Sequence, residues 1–180
     1  SAQPVISTSS DLQELWALDT LANTYGWKTK STTDTNNIIS LFVNRKSTAL
    51  ILKVKDKGTQ HLEKTCPDFV DIYYTVEDCD TTAYELIIYV GYELVDTTTP
   101  VLYYYPPCIA IGSGCAKDIE PSLLIKELEV ALQKENIAIE SVCAIGSATI
   151  KNEEQAYLDF AAQYDIPIVT NTADELNTIT

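Results

Sequence analysis

The sequence predicts an α/β fold made of two small α/β domains, the C-terminal one with a parallel sheet flanked by helices. Two observations predict this class. Short apolar runs alternate with segments of helical spacing, and beyond residue 105 the order is strand–helix–strand–helix–strand, which is typical of parallel sheets with crossover helices. Pro106 and Pro107 can continue neither a strand ladder nor a helix, so we predict a boundary between domains at 1–105 and 106–180.

In the N-terminal domain, helices and strands are predicted to alternate. A capping-box pattern at 10–13 leads into a helix with Leu12, Leu15 and Trp16 on one side, and Gly26 is a suitable C-terminal stop. The other predicted elements are helices over about 35–45 and 60–64 and strands over about 49–54, 69–76 and 85–92.

In the C-terminal domain, three apolar runs are predicted to be parallel strands. Pro121 suits the first turn of the helix between the first two strands, and Asn152 with Gln155 begins the next helix. The predicted strands are 108–111, 142–145 and 166–169.

The loops 112–117 and 146–154 follow neighbouring predicted strands. In a parallel sheet, ligands bind at the carboxyl ends of the strands, where loops lead into helix N-termini. The glycines allow an anionic group to approach the backbone closely, and Lys117 and Lys151 add positive charge. Spacing alone nevertheless favours a simple turn, because Gly-Ser-Gly-Cys lacks the third glycine of a dinucleotide-binding motif.

Other kinds of catalytic or metal-binding site have little support in the sequence. His61 is the only histidine, so a Ser-His-Asp or Cys-His site is not indicated, and no cluster has metal-ligand spacing. Cys115 beside a helix N-terminus would have a lowered thiol pKa, but it lacks an obvious base. The aromatic run 103–105 is equally consistent with an aromatic-ligand platform and with a strand leaving the core.

Composition excludes several classes of protein. The net charge of −14 argues against binding a nucleic-acid backbone or an anionic membrane. No apolar stretch reaches the roughly 18 residues of a membrane-spanning helix. The five cysteines form no C-x-x-C pair, so neither a disulfide framework nor a zinc site is predicted, and we expect a cytoplasmic protein.

The segment 28–64 reverses the sign of the charge. It holds eight bases against three acids, a net charge of +5. These bases form either an ordinary solvated surface or a basic wall for an anionic small ligand, and the sequence leaves both open.

Three segments together resemble the CbiG family, the cobalt-precorrin-5A hydrolases of anaerobic cobalamin synthesis. Residues 3–11 with 18–22 are similar to the stretch that enters the family's central region. Residues 111–117 resemble the glycine–cysteine–basic signature that opens the C-terminal domain, which also occurs alone as the CobE protein. Residues 147–154 match that domain's Lys-x-x-Glu motif at Lys151 and Glu154.

The resemblance implies opening of the δ-lactone of a cobalt-bound corrinoid with release of acetaldehyde. Cobalt would be carried by the substrate, so no cofactor or metal site of the protein's own is expected. Lys151 and Glu154 are the implied catalytic pair, although a Lys/Glu pair at i, i+3 is more often a salt bridge. The residues expected to bind the carboxylate-rich substrate are Gly112, Ser113, Gly114, Cys115, Lys117 and Ser147.

The sequence departs from the family at Ala116, where arginine is usual, and at Thr149, where an acid is common. The family's N-terminal domain and the end of its C-terminal domain are not in the sequence. We therefore expect an internal fragment, inactive alone, of an active parent hydrolase that works with other corrin-pathway enzymes or a fused methyltransferase domain. The alternatives are a non-catalytic corrinoid-binding or enzyme-docking module and, last, a nucleotide-binding α/β domain.

Overall fold

The computed structural model describes residues 15–114, 119–148 and 154–171, which divide into two compact units. The first unit contains the described residues of 15–91 together with 95–106. The second contains 92–94 and the described residues from 107 onward. None of the helices in these ranges is long and apolar enough to cross a membrane.

The first unit combines three helices with one sheet. Its helices are α1 (Leu18–Tyr25), α2 (Thr35–Val43) and α3 (Lys57–Lys64). The strands are β1 (Lys28–Ser31), β2 (Thr48–Leu52), β3 (Val70–Tyr73), β4 (Leu86–Val90) and β5 (Val101–Tyr105). Within the described residues they form a five-stranded sheet in the order β1-β5-β4-β2-β3, in which β5, β4, β2 and β3 run parallel to one another and β1 runs antiparallel to β5.

The central strands β2, β4 and β5 are buried at every residue. Burial on both faces explains why these strands are continuous apolar or aromatic runs rather than alternating ones. Alternate residues of the strands, such as Leu50 and Ile88, form one core with Leu21, Phe42 and Leu62. All three helices therefore contribute to the core on the same face of the sheet.

The structure confirms most of the predicted elements of this half. The helix at 35–45 and the three strands are shorter than predicted, whereas the helix predicted at 60–64 begins earlier, at Lys57. Gly26 ends α1 in the left-handed conformation, with a φ of 70°, which is the conformation that favours glycine at this position. The prediction that Leu15 and Trp16 belong to the first helix is wrong, because the helix begins at Leu18. Trp16 instead stacks on Phe42 and donates a hydrogen bond to Thr65 Oγ1 at 2.9 Å. The predicted start at 10–13 lies outside the described residues.

The sequence did not predict β1 as a strand, and it did not place β5 in the core. The polar segment that forms β1 pairs with β5, and Thr29 Oγ1 donates to the carbonyl of Tyr103 at 3.0 Å. The aromatic run of β5 is a buried core strand: Tyr103 stacks on Tyr105, and Tyr104 Oη donates to the carbonyl of Leu18 at 2.6 Å. The structure therefore confirms a strand at 103–105, but this strand lies within the core and does not leave it, and its buried rings form no exposed platform for an aromatic ligand.

The second unit has a parallel three-stranded sheet in the order β6-β7-β8 among the residues described. Its elements are β6 (Ile109–Gly112), α4 (Pro121–Lys134), β7 (Val142–Ala148), α5 (Gln155–Tyr164) and β8 (Ile168–Asn171). Leu124 and Leu132 of α4 share a core with Tyr157 and Phe160 of α5 and Ile145 of β7. The α/β class, with a parallel C-terminal sheet flanked by helices, is confirmed.

Candidate functional site

The carboxyl ends of β6 and β7 lie side by side in the second unit. The strands are parallel neighbours, with Gly112 paired to Gly146. Beyond this pair, the Ser113 N–H donates to the carbonyl of Gly146 at 2.9 Å, and Ser147 Oγ donates to the carbonyl of Ser113 at 3.1 Å. The loops that follow the two strands therefore begin at one edge of the sheet, where ligands bind in parallel sheets.

The glycines at this edge leave the backbone open. A Cβ built on Gly112 or Gly114 would meet no atom within 4 Å, and both residues are exposed. Gly146 is closer packed, since its Cβ would lie 3.5 Å from the carbonyl oxygen of Ile111. Packing therefore does not demand glycine at 112 or 114, and the backbone at both residues is uncovered.

Ser147 has a more specific position than the sequence indicated. It is 9% exposed, and its hydroxyl proton is engaged by Ser113 across the strand pair. A hydroxyl has a single proton to donate, so Ser147 Oγ offers a ligand only its lone pairs. Ser147 thus holds the two loop starts together, a role that requires the parallel register and is not visible in the sequence.

Glu154 stands directly before the first turn of α5. Its carbonyl accepts from the N–H groups of Tyr157 at 3.0 Å and Leu158 at 3.4 Å, and its side chain makes no capping hydrogen bond to the helix. The residue is half-buried. Glu154 therefore lies at the N-terminal end of α5, where the unpaired backbone N–H groups of the first turn are exposed to a ligand's negative charge.

The remaining predicted site residues, Cys115, Lys117 and Lys151, lie outside the described residues. The structure thus brings together Gly112, Ser113, Gly114 and Ser147 and gives the backbone position of Glu154. The catalytic and binding roles of all the predicted residues stay predictions.

Tyr157 is the residue near this site that sequence reasoning treated only as core. Its side chain is 1% exposed, and its hydroxyl has no hydrogen-bond partner in the structure. It lies in the first turn of α5, three residues after Glu154. One feature of the sequence could have indicated this residue. Tyr157 carries a polar hydroxyl and lies on the same apolar helix face as Phe160.

The bases of the segment 28–64 do not form a single wall. Arg45 and Lys46 precede β2, where they pair with Asp68 and Glu85, and Arg45 lies 4.9 Å from the ring centre of Phe69. Lys53 and the bases after it follow the opposite end of this five-residue strand, about 17 Å away at 3.3 Å per residue. Arg45 and Lys46 are therefore separated from Lys53 by the length of β2, and the eight bases do not all line one surface; a basic wall formed by some of them stays a hypothesis.

The described part of the chain shows neither a metal-binding group nor a disulfide. No three His, Cys, Asp or Glu side chains in it come together to hold a metal ion. Four cysteines in the same ranges are free thiols: Cys66, Cys79, Cys108 and Cys143. Burial, with Asp71 adding to it, raises the pKa of the Cys66 thiol, so that thiol is not an activated nucleophile.

Two family models match the chain. One is described as the cobalamin biosynthesis central region and matches residues 16–106. The other is described as the cobalamin synthesis G C-terminus and matches residues 109–180.

Curated relatives are similar over nearly the whole chain. A cobalt-precorrin-5A hydrolase from Priestia megaterium is 24% identical over 183 aligned residues, covering 99% of this chain and 49% of the relative. A cobalt-precorrin-5A hydrolase from Salmonella typhimurium is 25% identical and is matched over 97% of this chain and 50% of its own length. The chain spans about half the length of the curated relatives it matches.

Among solved structures, a cobalamin biosynthesis protein G homolog from Sulfolobus solfataricus is similar at 16% identity. The alignment covers 90% of this chain and 45% of that one, with a TM-score of 0.35.

Proposed function

This chain belongs to the CbiG family of cobalamin biosynthesis, and from that premise we propose that it is the portion of a cobalt-precorrin-5A hydrolase that binds the corrinoid and takes part in opening its δ-lactone. The observation that carries the proposal is the similarity to curated hydrolases across both units. The paired strand ends of β6 and β7 support it, because they form an edge that suits an anionic ligand.

The substrate's carboxylate arms determine what the site must do. The backbone at Gly112 and Gly114 is open to these carboxylates. Lys117 and Lys151 supply positive charge in a chain whose net charge is negative. A net charge of −14 is no obstacle, since screening over about 8 Å at physiological salt leaves only nearby charges to act on the ligand.

Lactone opening adds water to an ester carbonyl. The water oxygen bonds to the carbonyl carbon and loses a proton to a base. The bond from that carbon to the ring oxygen then breaks, and the base returns the proton to the ring oxygen, which leaves as an alcohol. We assign Glu154 either as this base or as the group that orients Lys151, and the lysine ammonium to stabilisation of the oxyanion. The alcohol then loses its O–H proton to the base as its C=O bond forms, the neighbouring carbon–carbon bond breaks to release acetaldehyde, and the electron pair of that bond, followed by the proton, passes to the macrocycle.

Cobalt enters this scheme as part of the substrate. A corrinoid chelates its metal through its own ring nitrogens, so the protein's groups need only bind the macrocycle and its arms. We propose a cytoplasmic location, and the free state of the four described cysteines supports a reducing compartment.

The test is made in the full-length parent protein. We expect Lys151→Ala and Glu154→Gln each to lower acetaldehyde release by about a hundredfold, the range typical of lost general acid–base or charge stabilisation. Lys126→Ala, an exposed lysine on α4, is the matched control and should leave the rate unchanged. Unaltered acetaldehyde release in both variants would contradict the assigned roles.

A second candidate is a module that binds corrinoid or docks neighbouring corrin-pathway enzymes without catalysis. The observation that favours it is that the described strand ends offer open backbone at Gly112 and Gly114, which suits holding a ligand without taking part in its chemistry. Corrinoid binding by the chain, together with unaltered acetaldehyde release by the parent protein carrying Lys151→Ala or Glu154→Gln, would support this candidate over the first.

A further inference from the structure

The first unit contains a cavity of about 300 Å³ between α1, β1, α2 and β5. Its floor is aliphatic and comes from Leu18, Ile38, Ile39 and Leu102. Small-molecule sites occupy roughly 300–1,000 Å³, so this cavity is at the small end of that range. It suits a short aliphatic chain and is too small for a tetrapyrrole.

The register of β1 with β5 decides which side chains of β1 face this cavity. Ser31 pairs with Leu102 of the floor, and residues paired across two strands have their side chains on the same face of the sheet. Because side chains alternate along a strand, Thr29 shares that face with Ser31, whereas the Lys30 side chain lies on the opposite face. Lys30 therefore lines the cavity with its backbone alone, and β1 presents two hydroxyls and no cation to it.

Both of these hydroxyls face a ligand as acceptors. Thr29 Oγ1 donates its proton to the Tyr103 carbonyl at 3.0 Å, and Ser31 Oγ donates to the Thr33 carbonyl at 2.7 Å. A hydroxyl has one proton, so each oxygen can offer a ligand only its lone pairs. The β1 side of the cavity is thus a wall of hydrogen-bond acceptors.

Asp19, in the first turn of α1, adds a carboxylate to the lining. Burial, with the charge of Asp19 adding to it, raises the pKa of Tyr104, so this carboxylate lies near the Tyr104 hydroxyl on the helical face of the sheet. Within the described ranges, the Asp19 carboxylate makes neither a hydrogen bond nor an ion pair. The described lining therefore carries one negative charge and no positive charge.

From the aliphatic floor, the acceptor wall and the carboxylate, we propose that this cavity binds a small aliphatic primary amine in its ammonium form. The ammonium donates to Asp19 and to the hydroxyls of Thr29 and Ser31, and its three N–H groups match these three acceptors. An anion would be repelled by Asp19, and a metal ion would gain no ligand from the aliphatic floor. This site does not depend on the corrinoid chemistry of the second unit.

The test uses the full chain and three probes of nearly equal size. 3-Methylbutylamine is a cation, 3-methyl-1-butanol is uncharged and 3-methylbutanoate is an anion. In NMR titrations, the amine should produce saturable shifts at Thr29, Ser31 and Ile38, the alcohol should bind about fivefold more weakly, and the anion should bind more weakly still. Added salt should weaken the amine and leave the alcohol unchanged, because only the amine interacts through its charge.

An exposed variant assigns the charge to its residue. Asp19→Asn should weaken the amine about fivefold and leave the alcohol unchanged. Asp96→Asn, at an exposed position of the same unit outside the cavity lining, is the matched control and should bind the amine as the parent chain does. Absence of saturable amine shifts, equal affinity for amine and alcohol, or unchanged amine affinity in Asp19→Asn would overturn the proposal without affecting the test of acetaldehyde release.

Discussion

At the scale of single residues, some buried tyrosine hydroxyls make a hydrogen bond and others do not. Tyr104 Oη donates to the Leu18 carbonyl at 2.6 Å, and Tyr103 Oη donates to the Val95 carbonyl at 3.3 Å. Tyr157 Oη is equally buried and has no partner in the structure. A buried polar group without a hydrogen bond costs about 1–3 kcal/mol, so Tyr157 is a locally unfavourable residue of the second unit.

We therefore predict that Tyr157→Phe raises the free energy of unfolding by about 1 kcal/mol, since it removes an unsatisfied hydroxyl and keeps the ring. Urea denaturation followed by far-UV circular dichroism measures the change. Tyr164→Phe is the matched control on the same helix: Tyr164 Oη donates to Glu129, so its loss should leave stability equal or slightly lower. A drop in stability for Tyr157→Phe would show that the hydroxyl has a partner after all.

At the scale of elements, the start of α3 depends on a residue from a distant segment. Asp56 Oδ1 accepts from the Thr59 N–H at 2.8 Å, and its other oxygen accepts from Trp27 Nε1 at 2.8 Å. The indole consequently lies on the first turn of the helix. A Cβ at Gly58 would lie 2.1 Å from the Trp27 ring, so glycine is required here by close approach.

Gly58→Ala should accordingly lower the free energy of unfolding by about 1–2 kcal/mol, because overpacking against the buried indole outweighs the roughly 1 kcal/mol that alanine gains in a helix. Urea denaturation followed by tryptophan fluorescence measures this change in the free energy of unfolding. Gln60→Ala, on an exposed position of the same helix, should change stability by no more than a few tenths of a kcal/mol. Stabilisation by Gly58→Ala would contradict the crowding at Trp27.

At the scale of the whole molecule, raised tyrosine pKa values make the stability of the first unit depend on pH in alkali. Burial raises the pKa of Tyr104, with the charge of Asp19 adding to it, and burial also raises the pKa of Tyr103. In the unfolded chain both would ionise near pH 10. The folded state keeps these protons where the unfolded state loses them, so their contribution is complete below pH 10 and is lost as the pH rises above it.

We predict that the first unit loses stability above about pH 10, by up to 1.4 kcal/mol per pH unit for each tyrosine kept neutral by folding. Thermal unfolding between pH 8 and pH 11 measures this slope. Tyr103→Phe should reduce the slope even if it lowers stability at pH 8, which separates ionisation from the lost hydrogen bond to Val95. An equal slope in the variant would exclude Tyr103 as a source of the alkaline loss.

Much of the fold follows from properties that a short stretch of sequence carries. Strands β2 and β4 are recognisable because burial on both faces demands continuous apolar residues, and Pro121 and Gly26 fit their helix ends through their own backbone preferences. The parallel order of the second unit follows from the alternation of strands and helices. These are local effects, which the residues themselves determine.

Other features depend on partners far apart along the chain. The polar residues of β1 become a strand only because β5, more than 70 positions later, supplies the hydrogen-bonding edge, and Trp16 leaves the helix because Phe42 and Thr65 hold it elsewhere. The bond from Ser147 to Ser113 likewise exists only in the register of β6 and β7. Sequence alone thus determined the class, the order of elements in the second unit and the family resemblance. The tertiary structure decided which polar groups meet and that the segments of β1 and β5 form strands of one sheet, because register and packing join residues that no local pattern connects.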